Sequence, residues 1–275
     1  MENKKTKRLV ESAIMLTLAT ILSVLKIVEL PAGGSITIAS MLPIVIIAYR
    51  YGTAWGLGIG LIYGVIQQLF GLDNLSYFTT WQSIVAVILL DYIIAFAVIG
   101  LSGIFRNKIK NQATAMMLGA LLVCILRYIC HVLSGATVWK GLSIPTSAAL
   151  TYSVIYNATY MIPETIVLLV ATCYIGSVLD FRAELPVRFK PNQQKTVLPW
   201  IPVVSGLLIA AATIFDTASV FAHLSNTDGY FDITQISEVN WVYVIAVTGV
   251  TVVISAVLLI IRQQQIRKTI TSENN

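Results

Sequence analysis

Charged residues are scarce in this sequence of 275 residues. Only 11% of the residues are charged, 57% are apolar, and the mean hydropathy is +0.81. Soluble globular domains carry about 25% charged residues. The composition therefore excludes an ordinary soluble fold and predicts a protein that places most of its length inside a lipid bilayer.

The sequence also lacks the patterns of several kinds of chemistry. Its cysteines, Cys124, Cys130 and Cys173, lie in apolar runs without the spacing of zinc ligands, so we expect small apolar side chains and no metal site. No G-x-x-x-x-G-K-[ST] motif occurs, so the chain has no visible means of binding ATP itself. Because no nucleophile is paired with a base, we expect no catalytic residue, no cofactor and no enzymatic activity.

Long apolar runs predict an all-α integral membrane protein. A helix needs about 20 apolar residues to cross the bilayer, where every backbone amide must bond within its own segment. The second run is short for a straight crossing, and the sixth is long and contains Pro163. The predicted spans cover residues 9–30, 36–49, 53–71, 79–103, 115–137, 147–179, 197–222 and 241–262.

The distribution of lysine and arginine predicts the orientation. Most of the 18 basic residues lie at one end of the predicted bundle, whereas the opposite loops carry Glu29, Asp73 and other acidic residues. Basic loops remain in the cytoplasm. We therefore expect a multi-pass protein of the cytoplasmic (cell) membrane with both termini in the cytoplasm. The net charge of +5 follows from this topology, and no binding of nucleic acid is expected.

One break divides the apolar pattern. Residues 181–196 contain two prolines and four basic residues and predict a basic cytoplasmic linker. The linker separates a six-span core, residues 1–180, from a two-span extension, residues 197–275, for which the sequence indicates no role. Within the extension we interpret Asp216 as an interfacial residue, with pairing to a neighbouring helix as the alternative.

Small residues mark two helix faces that another helix can approach closely. Gly56, Gly60 and Gly64 recur every four residues in the third span, which favours static close packing over a moving interface. Ala13 and Thr17 belong to a weaker stripe of small residues on the first span, which could meet a partner inside the membrane.

Four ionisable side chains stand out inside the predicted spans: Asp91, Arg127, His131 and Glu164. Each costs on the order of 2.5–3.5 kcal/mol at the bilayer centre, so such residues usually face a partner or a cavity. The i, i+4 spacing of Arg127 and His131 places them on one helix face. Arg127 either neutralises Asp91 in a structural pair or contacts a ligand. Glu164 lies several residues deeper, which makes it a poor candidate for contact with the same ligand.

Polar and aromatic residues on three consecutive spans fall at similar depth, so a shared cavity in the outer half of the membrane is geometrically possible. Aromatic faces suit a flat ring or an organic cation, and imidazole and amide groups suit a heteroaromatic edge. With histidine neutral, Asp91, Glu164 and Arg127 carry a summed charge of minus one, which a monocation would balance. The candidate lining residues are Tyr92, Asp91, His131, Trp139, Tyr152 and Asn157.

At these residues the sequence resembles the thiamine-specific substrate-binding subunits, or S-components, of energy-coupling factor transporters. The resemblance covers residues 5–180, and its ordered motifs are more specific together than any one of them. They are LPAGGSITIASMLPI after the first span, GLGIGLIYG in the third, LLDYIIAF in the fourth, RYICHVLSGATVW in the fifth and YSVIYNATYM in the sixth.

The resemblance implies a six-helix core that captures thiamine from outside with high affinity. It also implies partners, a transmembrane scaffold subunit and two cytoplasmic ATPase subunits, which supply the energy source that the chain lacks. By position, the thiamine-binding residues it implies are Asp91, Tyr92, Arg127, His131, Trp139, Tyr152 and Asn157.

The sequence departs from the family pattern in three ways. Some members have Glu where Asp91 stands and Lys where Arg127 stands. Arg127 therefore presents a planar guanidinium where those members have the point charge of an ammonium group. The Ala-x-x-x-Ala patch that the family uses against its scaffold subunit appears here as Ala13 and Thr17.

Two other interpretations of the function remain open. One is an autonomous transporter or an S-component for another small vitamin, and the other is an intramembrane enzyme.

Overall fold

The protein is an all-α membrane protein with a six-helix core and two further helices. The structure is a computed structural model, and it describes residues 2–29, 34–140, 142, 148–189, 198–224 and 233–273. Within these ranges the helices follow the predicted order. They are α1 (Glu2–Val24), α2 (Leu42–Tyr51), α3 (Thr53–Phe70), α4 (Trp81–Phe105), α5 (Gln112–Thr137), α6 (Ala149–Val178), α7 (Ile201–His223) and α8 (Trp241–Glu273).

Six helices in the described part of the chain, α3 to α8, are long and apolar enough to cross a bilayer. The first two of the eight predicted spans are not among these six. α2 has only 10 residues, so it rises about 15 Å, half the thickness of the hydrocarbon core. α1 has 23 residues, but charged side chains occur throughout its first three turns. The six long helices make the chain a multi-pass membrane protein.

A short hairpin replaces part of the first two predicted spans. Strand β1 (Lys26–Glu29) pairs antiparallel with β2 (Ser35–Thr37), whereas the apolar pattern predicts helix to residue 30 and again from residue 36. The β-branched residues of these segments favour extended backbone. Residues 30–33, the start of the first family motif, lie outside the described residues.

α2 is the centre of the bundle. All its residues from Pro43 to Arg50 are buried, and Ile44 and Ile47 have no exposed surface. α1, α3 and α4 pack around it. A helix that is apolar on every side is buried either in a protein core or in a membrane, and α2 is buried among the other helices.

α3 packs against the backbone of α4 along the face of Gly56, Gly60 and Gly64. A Cβ added at any of these glycines would lie less than 3.0 Å from a carbonyl oxygen of α4, closer than real Cβ atoms approach. For Gly64 that oxygen belongs to Tyr92, one residue after Asp91. The glycine stripe therefore provides close packing within the chain and places α3 against the part of α4 that carries two candidate site residues.

The first part of the predicted linker is bound to the core. The buried guanidinium of Arg50 in α2 donates hydrogen bonds to three backbone carbonyl oxygens in the stretch 181–184. The same guanidinium forms an ion pair with Glu11 of α1, with Nε 2.5 Å from Oε1. Residues 190–196 of the linker lie outside the described residues. Two short strands lie where α6 meets the linker. They are β3 (Leu179–Asp180) and β4 (Val187–Arg188), and they pair antiparallel.

α7 and α8 form the extension. α7 packs against α6 and β1, and α8 packs against α7. Asp216 of α7 accepts a hydrogen bond from the hydroxyl of Thr248 in α8, and the rings of Phe215 and Tyr243 meet edge to face at 5.6 Å. The interpretation of Asp216 as merely interfacial is therefore wrong, because its carboxylate joins the two helices.

Candidate ligand-binding site

A cavity of about 980 Å³ lies between helices α3 to α6 and the β1–β2 hairpin. Its volume is at the upper end of the roughly 300–1,000 Å³ typical of small-molecule sites. Helix periodicity alone predicts that Arg127, His131 and Gly135 share a face, and all three line this cavity. The cavity brings together every residue predicted to contact a ligand, namely Asp91, Tyr92, Arg127, His131, Trp139, Tyr152 and Asn157.

Asp91 and Tyr92 lie in an irregular stretch of α4. Residues Ile88–Ile94 form a π-helix, and residues Val98–Phe105 form a 3-10 helix. Turns of π-helix are rare and occur often at functional sites. The wider turn changes the direction in which successive side chains leave the helix. The periodicity of a regular α-helix would therefore misplace the Asp91 carboxylate around the α4 axis.

Three side chains meet at the carboxylate of Asp91. Ser134 Oγ donates to Oδ2 at 2.6 Å, Trp139 Nε1 donates to the same oxygen at 3.0 Å, and His131 Nδ1 lies 3.0 Å from Oδ1. These hydrogen bonds stabilise the carboxylate without cancelling its charge when the histidine is neutral. His131 Nε2 is buried without a hydrogen-bond partner among the described residues, so it is available to a bound molecule.

Arg127 pairs with Glu164 and not with Asp91. Its Nη1 lies 3.5 Å from Glu164 Oε2, and both side chains are 6% exposed. The ring of Phe96 lies 4.6 Å from the guanidinium carbon, and Thr37 of β2 donates to Glu164 Oε1 at 3.1 Å. The alternative in which Arg127 neutralises Asp91 is therefore wrong.

Glu164 lines the same cavity, against the expectation that it lies too deep. Its charge is cancelled by Arg127. Lys26 also lines the cavity, but its Nζ lies 2.5 Å from Glu29 Oε1. Among the described lining residues, Asp91 is thus the carboxylate left without a Lys or Arg partner. No group of three or more metal-ligating side chains occurs in the part of the chain that the structure describes.

Aromatic rings form one wall of the site. The indole of Trp139 is held at its N–H by Asp91 and at its ring by Phe78, whose centroid lies 4.8 Å away with the planes at 75°. The rings of Tyr152 and Tyr156 are almost parallel, with an interplanar angle of 12° and centroids 6.5 Å apart. A flat ligand therefore meets ring faces and edges whose orientations are already set.

The side chain of Asn157 is engaged within its own helix. Its amide donates to the carbonyl oxygen of Ser153 at 2.9 Å, and its Oδ1 accepts from the hydroxyl of Tyr160 at 2.6 Å. The amide oxygen has two lone pairs and can accept a second hydrogen bond beside that of Tyr160. The contact of Asn157 with a ligand stays a prediction.

Sequence reasoning missed several lining or supporting residues. Ser134 follows His131 by three residues, so helix periodicity placed it on the same face and could have identified it. Tyr156 follows Tyr152 by four and offered the same signal. For Thr37 no local signal existed, because it reaches Glu164 only when the hairpin folds over the bundle.

The small residues predicted to meet a partner, Ala13 and Thr17, are both exposed on α1. The hydroxyl of Thr17 donates to the carbonyl oxygen of Ala13 at 2.9 Å, so the polar group is satisfied within the helix. Ile14 and Leu18 beside them are exposed as well, at 62% and 42%. This face is smooth and apolar, and its contact with a partner stays a prediction.

Known proteins resemble the first two thirds of the chain. The family described as "Thiamine transporter protein (Thia_YuaJ)" matches residues 9–180. The thiamine transporter ThiT of Bacillus subtilis (strain 168) is 36% identical over 185 residues, which are 63% of this chain and 92% of the relative. The solved structure of ThiT from Listeria monocytogenes has the same fold, with a TM-score of 0.52 at 23% identity over 63% of this chain and 94% of that chain. The chain belongs to the thiamine transporter protein family, a family of transporters and not of enzymes.

Proposed function

We propose that this chain captures thiamine with high affinity as the substrate-binding subunit of an energy-coupling factor transporter. The observation that carries the proposal is the Asp91 carboxylate, which lines the cavity, is hydrogen-bonded by His131, Ser134 and Trp139, and has no Lys or Arg partner among the described residues. The similar proteins are named for thiamine, and thiamine is a small organic cation built from two flat rings.

The charge of thiamine fits the charge of the cavity. Its thiazolium nitrogen is quaternary, so it carries a permanent positive charge without an N–H to donate. Such a group is recognised by a nearby carboxylate and by aromatic faces. Asp91 supplies the carboxylate, and the rings of Trp139 and Tyr92 supply the faces in the same cavity.

The aminopyrimidine ring of thiamine needs hydrogen-bond partners at its edge. The unpartnered Nε2 of His131 offers one such partner, and it is an acceptor when the Nδ1–H of the neutral ring donates to Asp91. Asn157 offers a second, since its Oδ1 has another lone pair beside the one that Tyr160 uses. Stacking against Tyr152 would orient the ring. Charge, stacking and edge recognition together would separate thiamine from neutral vitamins of similar size.

The energy for uptake must come from other subunits, since the sequence contains no phosphate-binding loop. We place both termini and Arg50 in the cytoplasm by the positive-inside rule. The exposed face around Ala13 and Thr17 would then meet the transmembrane scaffold subunit, and two cytoplasmic ATPase subunits would drive release of thiamine into the cell.

Calorimetric titration of the purified full-length chain with thiamine tests capture, with quenching of tryptophan fluorescence as the second readout. We expect saturable binding of thiamine and none of riboflavin or biotin. Asp91→Asn and Trp139→Ala should weaken the binding of thiamine strongly. The matched controls are Asp216→Asn, an intramembrane carboxylate outside the cavity, and Trp81→Ala, an exposed tryptophan, and both should bind as the native chain does. A folded native chain that does not bind thiamine would refute the proposal.

Uptake by proteoliposomes tests the coupling. Vesicles that contain the chain alone should not accumulate labelled thiamine. Vesicles that also contain the scaffold and ATPase subunits should accumulate it when ATP is enclosed on the ATPase side. Accumulation by the chain alone would contradict the S-component assignment and support an autonomous transporter.

A further inference from the structure

The extension touches the candidate site. Phe221, near the end of α7, packs against the apolar cluster that contains Trp139, Tyr152 and Tyr156. Val28 of β1 packs against the same cluster, and α7 also contacts β1. The family match ends at residue 180, so Phe221 brings a contact to the site from outside the matched region.

Close packing between α6 and α7 carries Phe221 to this position. A Cβ added at Gly206 of α7 would lie 2.8 Å from Cγ1 of Val170 in α6. The two helices are consecutive spans and run antiparallel. Phe221 follows Gly206 by as many residues as Val170 follows the turn after Tyr152, so Phe221 and this turn lie at the same level. Leu224, just beyond α7, is completely buried, which anchors the end of the helix.

Phe221 stands behind the cavity wall and does not form part of it. The described lining includes Trp139, Tyr152 and Tyr156 but not Phe221. It therefore acts on a bound molecule only through these rings and through the β1–β2 hairpin, which contributes Lys26 to the same lining. Such a residue is a positioning residue.

We infer that α7 supports the ligand site in this chain and helps to retain the bound ligand. Phe221 holds the aromatic cluster and the β1–β2 hairpin in the arrangement that encloses the ligand, and it thereby slows ligand release. The inference rests on the proposed function, in which the cavity binds thiamine. Removal of the Phe221 ring frees Tyr152 and the hairpin to move outward. Such loosening changes the dissociation rate more than the association rate.

Stopped-flow fluorescence of thiamine binding to the full-length chain tests this inference. In Phe221→Ala we expect thiamine to dissociate on the order of tenfold faster at an unchanged association rate. The matched control is Phe215→Ala, because Phe215 lies on the same helix but packs against Tyr243 of α8; it should retain the native rate. Phe221→Leu, which refills most of the volume, should restore slow dissociation.

Equal dissociation rates in Phe221→Ala and Phe215→Ala would overturn the inference and leave the proposed function standing, as long as the native chain binds thiamine. Absence of thiamine binding by the folded native chain would instead overturn the proposed function itself. If Phe221→Ala does not yield folded protein, Phe221→Val against Phe215→Val makes the same comparison and decides the question in the same way.

Discussion

Two intramembrane carboxylates line one cavity, yet their surroundings differ. Glu164 faces the guanidinium of Arg127 and accepts a hydrogen bond from Thr37. Asp91 is held by His131, Ser134 and the indole N–H of Trp139. The first carboxylate is neutralised by a fixed guanidinium, whereas the second is hydrogen-bonded by an imidazole, a hydroxyl and an indole and has no Lys or Arg partner among the described residues.

The difference shows that the position of a charge does not decide what it does. A buried ion pair satisfies itself, and loss of either partner leaves an uncompensated charge. A carboxylate that accepts hydrogen bonds but has no Lys or Arg partner can still bind a mobile cation. We therefore assign a structural role to Arg127–Glu164 and the ligand charge to Asp91, and the following variants test that division.

Arg127→Met should have the largest effect, on stability. It leaves the Glu164 carboxylate buried without its cation, which costs about 3–5 kcal/mol. The double variant Arg127→Met/Glu164→Gln should recover most of the loss, since no charge remains. Thermal unfolding of the ligand-free proteins in detergent, followed by intrinsic fluorescence, measures both. A double variant no more stable than Arg127→Met would show that Glu164 does not depend on Arg127.

Asp91→Asn should show the opposite pattern, with a large loss of affinity and little loss of stability. The amide keeps the shape of the side chain but removes the charge that attracts the cation, so we expect affinity for thiamine to fall about 100-fold or more. Calorimetry gives the affinity and thermal unfolding gives the stability. A melting temperature lowered as much as in Arg127→Met would contradict the division of roles.

Ser134→Ala should have a moderate effect on binding. It removes one neutral donor from Asp91 Oδ2, and a hydrogen bond to a charged group contributes roughly 1.5–3 kcal/mol. Part of this is recovered because Trp139 still donates to the same oxygen. We expect a loss of thiamine affinity smaller than that of Asp91→Asn. Ser153→Ala, a buried serine that bonds the backbone of Val132, is the matched control.

Phe96→Leu should have the smallest effect. It removes the ring that lies beside the Arg127 guanidinium, a contact worth about 0.5–2 kcal/mol. A double-mutant cycle of Phe96→Leu with Arg127→Met, read by thermal unfolding, separates this contact from the packing of Phe96 against Tyr63. A coupling energy of zero in the cycle would show that Phe96 does not stabilise the ion pair.

Much of the site was predictable because its residues follow local rules. Arg127, His131 and Gly135 reach the cavity by helix periodicity, and the three-span set from Asp91 to Asn157 converges as the shared depth suggests. The first two spans were less predictable. Hydropathy does not distinguish an apolar helix buried in protein, such as α2, from one in lipid, and it does not detect the strand at Lys26–Glu29.

The sequence by itself determined the membrane class, the order of the helices and the faces that carry the polar residues, because hydropathy and helix periodicity depend on near neighbours. Only the tertiary structure decided which carboxylate pairs with which basic side chain. Arg127 and Glu164 are 37 residues apart and Thr37 and Glu164 are 127 apart, so their contacts exist only after the helices and the hairpin pack together. Folding leaves Asp91 as the carboxylate that a ligand can use.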